Sequence, residues 1–260
     1  MIKVENVSKI FEGKKNALKN INISIPENEL TLFVGPNGSG KTTLLKIIAG
    51  ITKPTQGTVT LPSEKIGISF QEPIFFTKLT VKENLKFMAK LMGNYDKTFV
   101  RYLEEKLFLL EWENFLAEDL SSGVSKRLDL ALALSHNPDI LILDEPLAAL
   151  DASSRLRFIE LLKELKRSKT VIIATHNLDL FGGAGIDNIG VLLTEMKYFG
   201  RPPSLGNEYI VTIEDEGERK IEVEMANLQK TLEDIDYKKI KKVEIKKKGL
   251  SSWVQQILDR

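Results

Sequence analysis

The segment Gly35-Pro36-Asn37-Gly38-Ser39-Gly40-Lys41-Thr42 constrains the fold more than any other part of this chain. It lies between an apolar run, residues 30 to 34, and a helix-like run, residues 43 to 49, so it reads as strand, glycine-rich loop and helix. In that context the pattern G-x-x-x-x-G-K-[ST] describes a phosphate cradle rather than an ordinary glycine turn. With no Cβ atoms in the way, the loop's N–H groups turn inward around phosphate oxygens. They deliver the phosphates to a helix N-terminus carrying about half a positive charge. Gly35, Pro36, Asn37, Gly38, Ser39, Gly40, Lys41, Thr42 and Thr43 are therefore candidate binding residues. Lys41 is expected to face the β and γ phosphates, and Thr42 to place a hydroxyl on Mg²⁺.

A chain of 260 residues fits one α/β domain with a small appendage. With 37 basic and 36 acidic residues, a net charge of +1 supplies no global field for nucleic acid, and no specific nucleic-acid partner is expected. The absence of cysteine excludes disulfides and thiolate metal sites, and two histidines argue against a histidine-based zinc site. A cytoplasmic location is the expectation. The start Met-Ile-Lys-Val-Glu-Asn lacks the apolar core of a signal peptide, and no run approaches the ~18 apolar residues of a membrane span. If the protein works at a membrane, another chain must cross it.

Residues 2 to 34 read as short strands, with Ile21, Ile23 and Ile25 alternating with polar residues until Pro26. Phe11 in this β layer offers a ring for stacking on an adenine base. Strands are expected at residues 58 to 60 and 65 to 69, the second leading to Gln71, which is placed to touch Mg²⁺ or water. Helical spacing begins after Thr80 and again over about residues 97 to 110, and Phe75, Phe76, Phe87 and Phe108 are expected to form the core of this insert. Ser121, Ser122 and Gly123 open a further helix and make a second candidate anion site. The all-apolar residues 140 to 143 suit a central parallel strand that ends in Asp144 and Glu145. Two carboxylates at such a strand end call for a cation or a catalytic task. Asp144 suits Mg²⁺ through water, and Glu145 suits polarising an attacking water. A helix from Leu150-Asp151 to about residue 167 and a buried strand at residues 170 to 174 follow, closing on Thr175-His176 in the same crevice.

Over about residues 1 to 205 the chain resembles the ATP-binding-cassette (ABC) ATPases, the nucleotide-binding subunits of transporters. Residues 35–42 match the Walker A loop, Phe11 the aromatic A-loop, Gln71 the Q-loop and residues 120–124 the signature. Residues 140–145 match Walker B with its catalytic Glu145, Leu150-Asp151 the D-loop and His176 the H-loop. The resemblance implies an α/β fold: a P-loop NTPase core with a mostly parallel sheet, an N-terminal antiparallel β layer and a helical insert at about residues 72–135. It also implies ATP and Mg²⁺ as ligands, with Glu145, His176, Lys41 and Gln71 catalytic and Thr42, Gln71 and Asp144 around the metal. Two cassettes, identical or different, would sandwich two ATP molecules between the Walker A loop of one and Ser121, Ser122 and Gly123 of the other. A multi-span permease would be the second partner, with the cassette peripheral to the inner face of the cell membrane. The usual signature Leu-Ser-Gly-Gly-Gln is here Leu-Ser-Ser-Gly-Val. Val124 thus removes a side-chain amide, with an expected effect on affinity or dimer lifetime rather than chemistry. The segment Leu79-Thr80-Val81-Lys82-Glu83-Asn84-Leu85 is most similar to cassettes paired with a separate exporter permease of the ABC-2 kind. A soluble ABC ATPase, for example in iron-sulfur assembly, would share every motif. A P-loop kinase or GTPase would not explain the signature, Gln71 and His176 together.

About residues 206–260 fall outside the resemblance and read as a small α+β appendage. A hairpin turning at residues 215 to 218, a helix from Ala226, a strand near residues 243 to 245 and a closing helix from Ser251 are expected. Lys238, Lys239, Lys241, Lys242, Lys246, Lys247 and Lys248 could meet anionic lipid headgroups or nucleic acid, but the preferred reading is the solvated guard of a strand edge.

Overall fold

In the computed structural model, residues 1–11, 15–203, 208–214, 218–224, 227, 242–247 and 249–259 are described. The chain divides into two compact units, Met1–Arg201 and Pro202–Arg260.

The first unit opens with two antiparallel strands, β1 (Ile2–Phe11) and β2 (Lys15–Ile25). After β3 (Leu30–Val34) and helix α1 (Lys41–Ile48), β4 (Gln56–Thr60) joins the other side of β1. The alternation of Ile21, Ile23 and Ile25 has its expected consequence: all three are buried, and they share one core with Leu44, Leu45, Ile47 and Ile48 of α1 and with Phe33, Ile140 and Ile142. Strand β5 (Ile66–Ser69) precedes the insert, which holds α2 (Val81–Leu91), α3 (Lys97–Lys106) and α4 (Ser122–Leu134). Then come β6 (Ile140–Asp144), α5 (Ala152–Leu165), β7 (Thr170–Thr175), β8 (Asn188–Leu193) and β9 (Glu195–Gly200). The main sheet runs β5-β6-β7-β3-β8-β9, parallel except for β9. Every residue of β3, β6 and β7 is buried, as their unbroken apolar runs require of strands covered on both faces.

Thr80 and Glu83 form a reciprocal capping box that starts α2, and Asp96 caps α3. The second helix stops before the expected residue 110, because Phe108 adopts a left-handed φ of 51°. The expected aromatic core of the insert is also corrected. Phe76 and Phe87 are 47% and 43% exposed, while Val81, Leu85, Ala89, Val100, Leu103, Leu107 and Leu109 are buried. The period of the helices sets the buried face, and Phe87 lies off the stripe that Leu85 and Ala89 occupy.

In the second unit, β10 (Glu208–Glu214) lies between β11 (Glu218–Glu224) and β12 (Lys242–Lys247), both antiparallel to it, and α6 (Leu250–Leu258) follows. Lys242, Lys246 and Lys247 thus belong to an edge strand among the described residues. The hairpin turn at residues 215–217, Lys238, Lys239, Lys241, Lys248 and, apart from Asn227, the helix expected from Ala226 lie outside the described residues.

Candidate nucleotide site

The strand register gathers the candidate residues. Val34 pairs with Thr175, Asp144 with Ala174, and Ser69 with Leu143, so parallel β3, β7, β6 and β5 end at one edge of the sheet. The glycine-rich loop, His176, Glu145 and the Gln71 segment continue from those four ends, where α/β sheets hold their ligands. They border a cleft of about 500 Å³ that also takes in Phe11.

Gly40 turns the loop into α1 with φ 103° and ψ 3°, and a Cβ there would run into the Ala17 carbonyl and the Leu18 side chain. Glycine is required on both counts. The helix has no side-chain cap, so its first N–H groups stay available to an anion. Lys41 is only 7% exposed, and its Nζ donates to the carbonyls of Gly35 at 2.7 Å and Pro36 at 3.0 Å. Burial lowers its pKa, against the opposing pull of the Glu145 and Asp144 carboxylates. The Thr42 hydroxyl donates to Asp144 Oδ2 at 2.5 Å. Asp144 is 2% exposed, and burial raises its pKa, with the Thr42 hydrogen bond lowering it and the neighbouring Glu145 charge raising it further.

Glu145 carries a left-handed φ of 49°, a strain of about 1–3 kcal/mol for a residue with a side chain. Its own N–H donates to the Ala174 carbonyl at 2.9 Å. Its Oε1 accepts the His176 N–H at 2.8 Å and lies 2.6 Å from His176 Nδ1, while Oε2 accepts the Thr175 hydroxyl at 3.0 Å. The end of β7 thereby aims the carboxylate that follows β6. Thr175 in this role escaped the sequence reading, since a threonine closing a buried strand carries no signal of its own.

Phe11, Asn37, Gly38, Gly40, Lys41, Thr42, Thr43, Gln71, Asp144, Glu145 and His176 all line the cleft, and Ala17 and Ala148 join them. Gly35, Pro36 and Ser39 shape the loop without lining it. Phe11 is 47% exposed, with Lys9 Nζ 5.1 Å from its ring centroid. Ser121, Ser122 and Gly123 are not brought to this cleft; they stand at the start of α4.

The donor set suits a triphosphate with a hard cation. No group of three or more His, Cys, Asp or Glu that could hold a metal by itself occurs among the described residues. One buried carboxylate beside one hydroxyl matches Mg²⁺, which keeps waters and shares its shell with phosphate oxygens.

The profile of the ABC transporter family matches residues 18–148. The uncharacterized ABC transporter ATP-binding protein MJ0412 of Methanocaldococcus jannaschii is 39% identical over 195 residues, covering 68% of this chain and 72% of that protein. The chain belongs to the ABC transporter family. Another uncharacterized ABC transporter ATP-binding protein, YxlF of Bacillus subtilis, is 36% identical over 187 residues, and the match covers 68% of this chain and 63% of that relative's length. Among solved structures, a dimeric post-hydrolysis state of the ATP-binding cassette MJ0796 bound to ADP and Pi superimposes with a TM-score of 0.70 at 30% identity, over 78% of this chain and 100% of that one. The family match and the cleft fall in the same unit of the chain, Met1–Arg201. No helix among the described residues is long and apolar enough to cross a membrane.

Residues 120–124, which resemble the signature, run from the surface into the core. Ser121 caps α4 by accepting the Val124 N–H at 3.5 Å and, like Ser122, is exposed. Val124 is 3% exposed and belongs to the core. A Cβ at Gly123 would sit 3.3 Å from the Ala149 carbonyl, so the signature is packed tightly against the turn before the α5 cap, Asp151.

Proposed function

We propose that this chain is the ATP-hydrolysing subunit of a transporter and drives a separate membrane permease through ATP-dependent pairing of two cassettes. One observation carries the reading: the residues proposed for hydrolysis share a single cleft, while the helix start at Ser121 stands apart from it. A second cassette would complete the site by presenting its own Ser121, Ser122 and Gly123 to the phosphates.

In this reading Lys41 leaves the Gly35 and Pro36 carbonyls for the phosphates, a short move that exchanges neutral acceptors for charged ones. Thr42 and Asp144 would hold Mg²⁺, with Gln71 lining the same cleft. The chemistry that Mg²⁺ would supply when bound is neutralisation of charge on the transferring phosphoryl group. Glu145 takes the proton of the attacking water while Thr175 and His176 hold its carboxylate in place. Phe11 stacks on the base. Closing and opening of the pair would move a permease docked on the helical insert, with the cassettes on the cytoplasmic face of the membrane. On the strength of the Leu79 to Leu85 segment and the Leu-Ser-Ser-Gly signature, that permease is an exporter of the ABC-2 kind. Isolation of the chain with a permease and an external substrate-binding protein would assign import instead.

The test is Glu145→Gln, which keeps shape and hydrogen-bonding reach but accepts no proton. It should bind MgATP as the parent does, turn over roughly 10²- to 10⁴-fold more slowly and accumulate as an ATP-bound dimer on size-exclusion chromatography. Parental turnover would remove Glu145 from the role of base.

A further inference from the structure

At the end of β5, where the chain leaves for Gln71, lies a buried ionic cluster that none of the catalytic roles uses. Lys126, Asp129 and Ser69 are 2%, 4% and 1% exposed. Lys126 Nζ donates to Ser69 Oγ at 3.0 Å, to the Phe70 carbonyl at 2.6 Å and to Asp129 Oδ2 at 3.3 Å, which uses all three of its protons. Asp129 Oδ2 also accepts the Ser69 hydroxyl at 2.5 Å, and its Oδ1 accepts the Ile74 N–H at 3.2 Å. The carboxylate of one α4 residue thus holds the chain on both sides of Gln71.

A buried ion pair is a poor way to gain stability, since apolar side chains of similar size commonly do as well or better. What this pair does supply is directional bonding to main chain that belongs to no helix or strand. Residues 70 to 74 have neither element to fix them, and Gln71 itself is exposed.

We infer that Asp129, with Lys126 and Ser69, is a positioning residue for Gln71: it sets where Gln71 meets the metal-phosphate end of the cleft and ties that position to the helix that begins at Ser121. The inference rests on the role given to Gln71 under the proposed function.

The experiment uses the full chain with Lys126→Met/Asp129→Leu, which removes both charges together, beside Gln71→Ala and the triple variant. ATP binding without Mg²⁺ should match the parent in the double variant. Turnover at saturating MgATP should fall roughly 10- to 100-fold in the double variant, the range found when groups that orient metal-site residues are lost. The triple variant should be no slower than Gln71→Ala. Parental turnover in the double variant, with Gln71→Ala slow, overturns the positioning role and leaves the proposed function intact. Losses that multiply in the triple variant also overturn it. Parental turnover in Gln71→Ala removes the role of Gln71 and this inference with it. If the double variant does not fold, Ser69→Ala, alone and combined with Gln71→Ala, decides by the same readouts.

Discussion

Two helices of this chain begin in glycine- and serine-rich turns, and they begin in opposite ways. The start of α1 is open: Gly40 holds a left-handed turn, no side chain caps the helix, and Lys41 and Asp144 are buried beside it. The start of α4 closes on itself, with Ser121 in extended conformation capping Val124 and the next side chain inward packed in the core. An uncapped helix start with buried charges is incomplete without a ligand, whereas a self-capped, exposed one is complete and can only lend itself to a ligand held elsewhere. On the proposed function, this contrast assigns the cleft and the α4 start of one chain to different ATP sites.

The contrast breaks most visibly at Lys41. Lys41→Ala removes a charge-assisted phosphate contact and should weaken ATP binding by roughly 100-fold in equilibrium titration. Ser121→Asp keeps a good N-cap and suits the helix dipole, so the isolated chain should bind ATP as tightly as the parent. Comparable losses in both variants would mean that the α4 start contributes to binding within one chain.

Val124→Gln sharpens the same contrast at the other helix. With Val124 buried, a restored amide enters the core without a partner, and urea unfolding should show a loss of about 1–3 kcal/mol. A tighter ATP complex at unchanged stability would instead place that side chain at the ligand.

Much of this was legible because the cleft is built from local patterns at strand ends. Glycines before Lys41, an apolar run ending in Asp144 and Glu145, and another ending in His176 each announce themselves within a few residues, and parallel pairing brings them to one edge. Contacts made across the fold left no local trace. Nothing in a serine, a lysine and an aspartate over sixty residues of chain predicts the Ser69-Lys126-Asp129 cluster. The left-handed turn at Phe108, which ends α3, lacks the glycine that would have signalled it. Phe76 and Phe87 misled because side-chain size says nothing about which helix face is buried.

A smaller effect concerns the charge held at the open helix start. Burial raises the Asp144 pKa, so the folded chain binds its proton more readily than the unfolded one. Its contribution to stability therefore falls as pH rises from the ordinary carboxylate range through the raised folded value. Asp144→Asn should melt about 2–4 °C higher at neutral pH without nucleotide and show a flatter acid-side profile. MgATP should then stabilise it less than it stabilises the parent. A lower melting temperature would indicate that Lys41 already compensates the charge.

The direct test of the central claim is to mix Lys41→Ala chains with Ser121→Asp chains and measure ATP turnover. Each variant alone should be nearly inactive, the first for lack of nucleotide and the second because its carboxylate opposes the phosphate across the dimer. A mixed dimer pairs the intact loop of one chain with the intact Ser121 of the other. Turnover should rise well above the sum of the two, toward roughly a quarter of the parent's, since half the dimers are mixed and each holds one intact site. Turnover equal to that sum at every mixing ratio would show that each chain hydrolyses ATP with its own cleft alone.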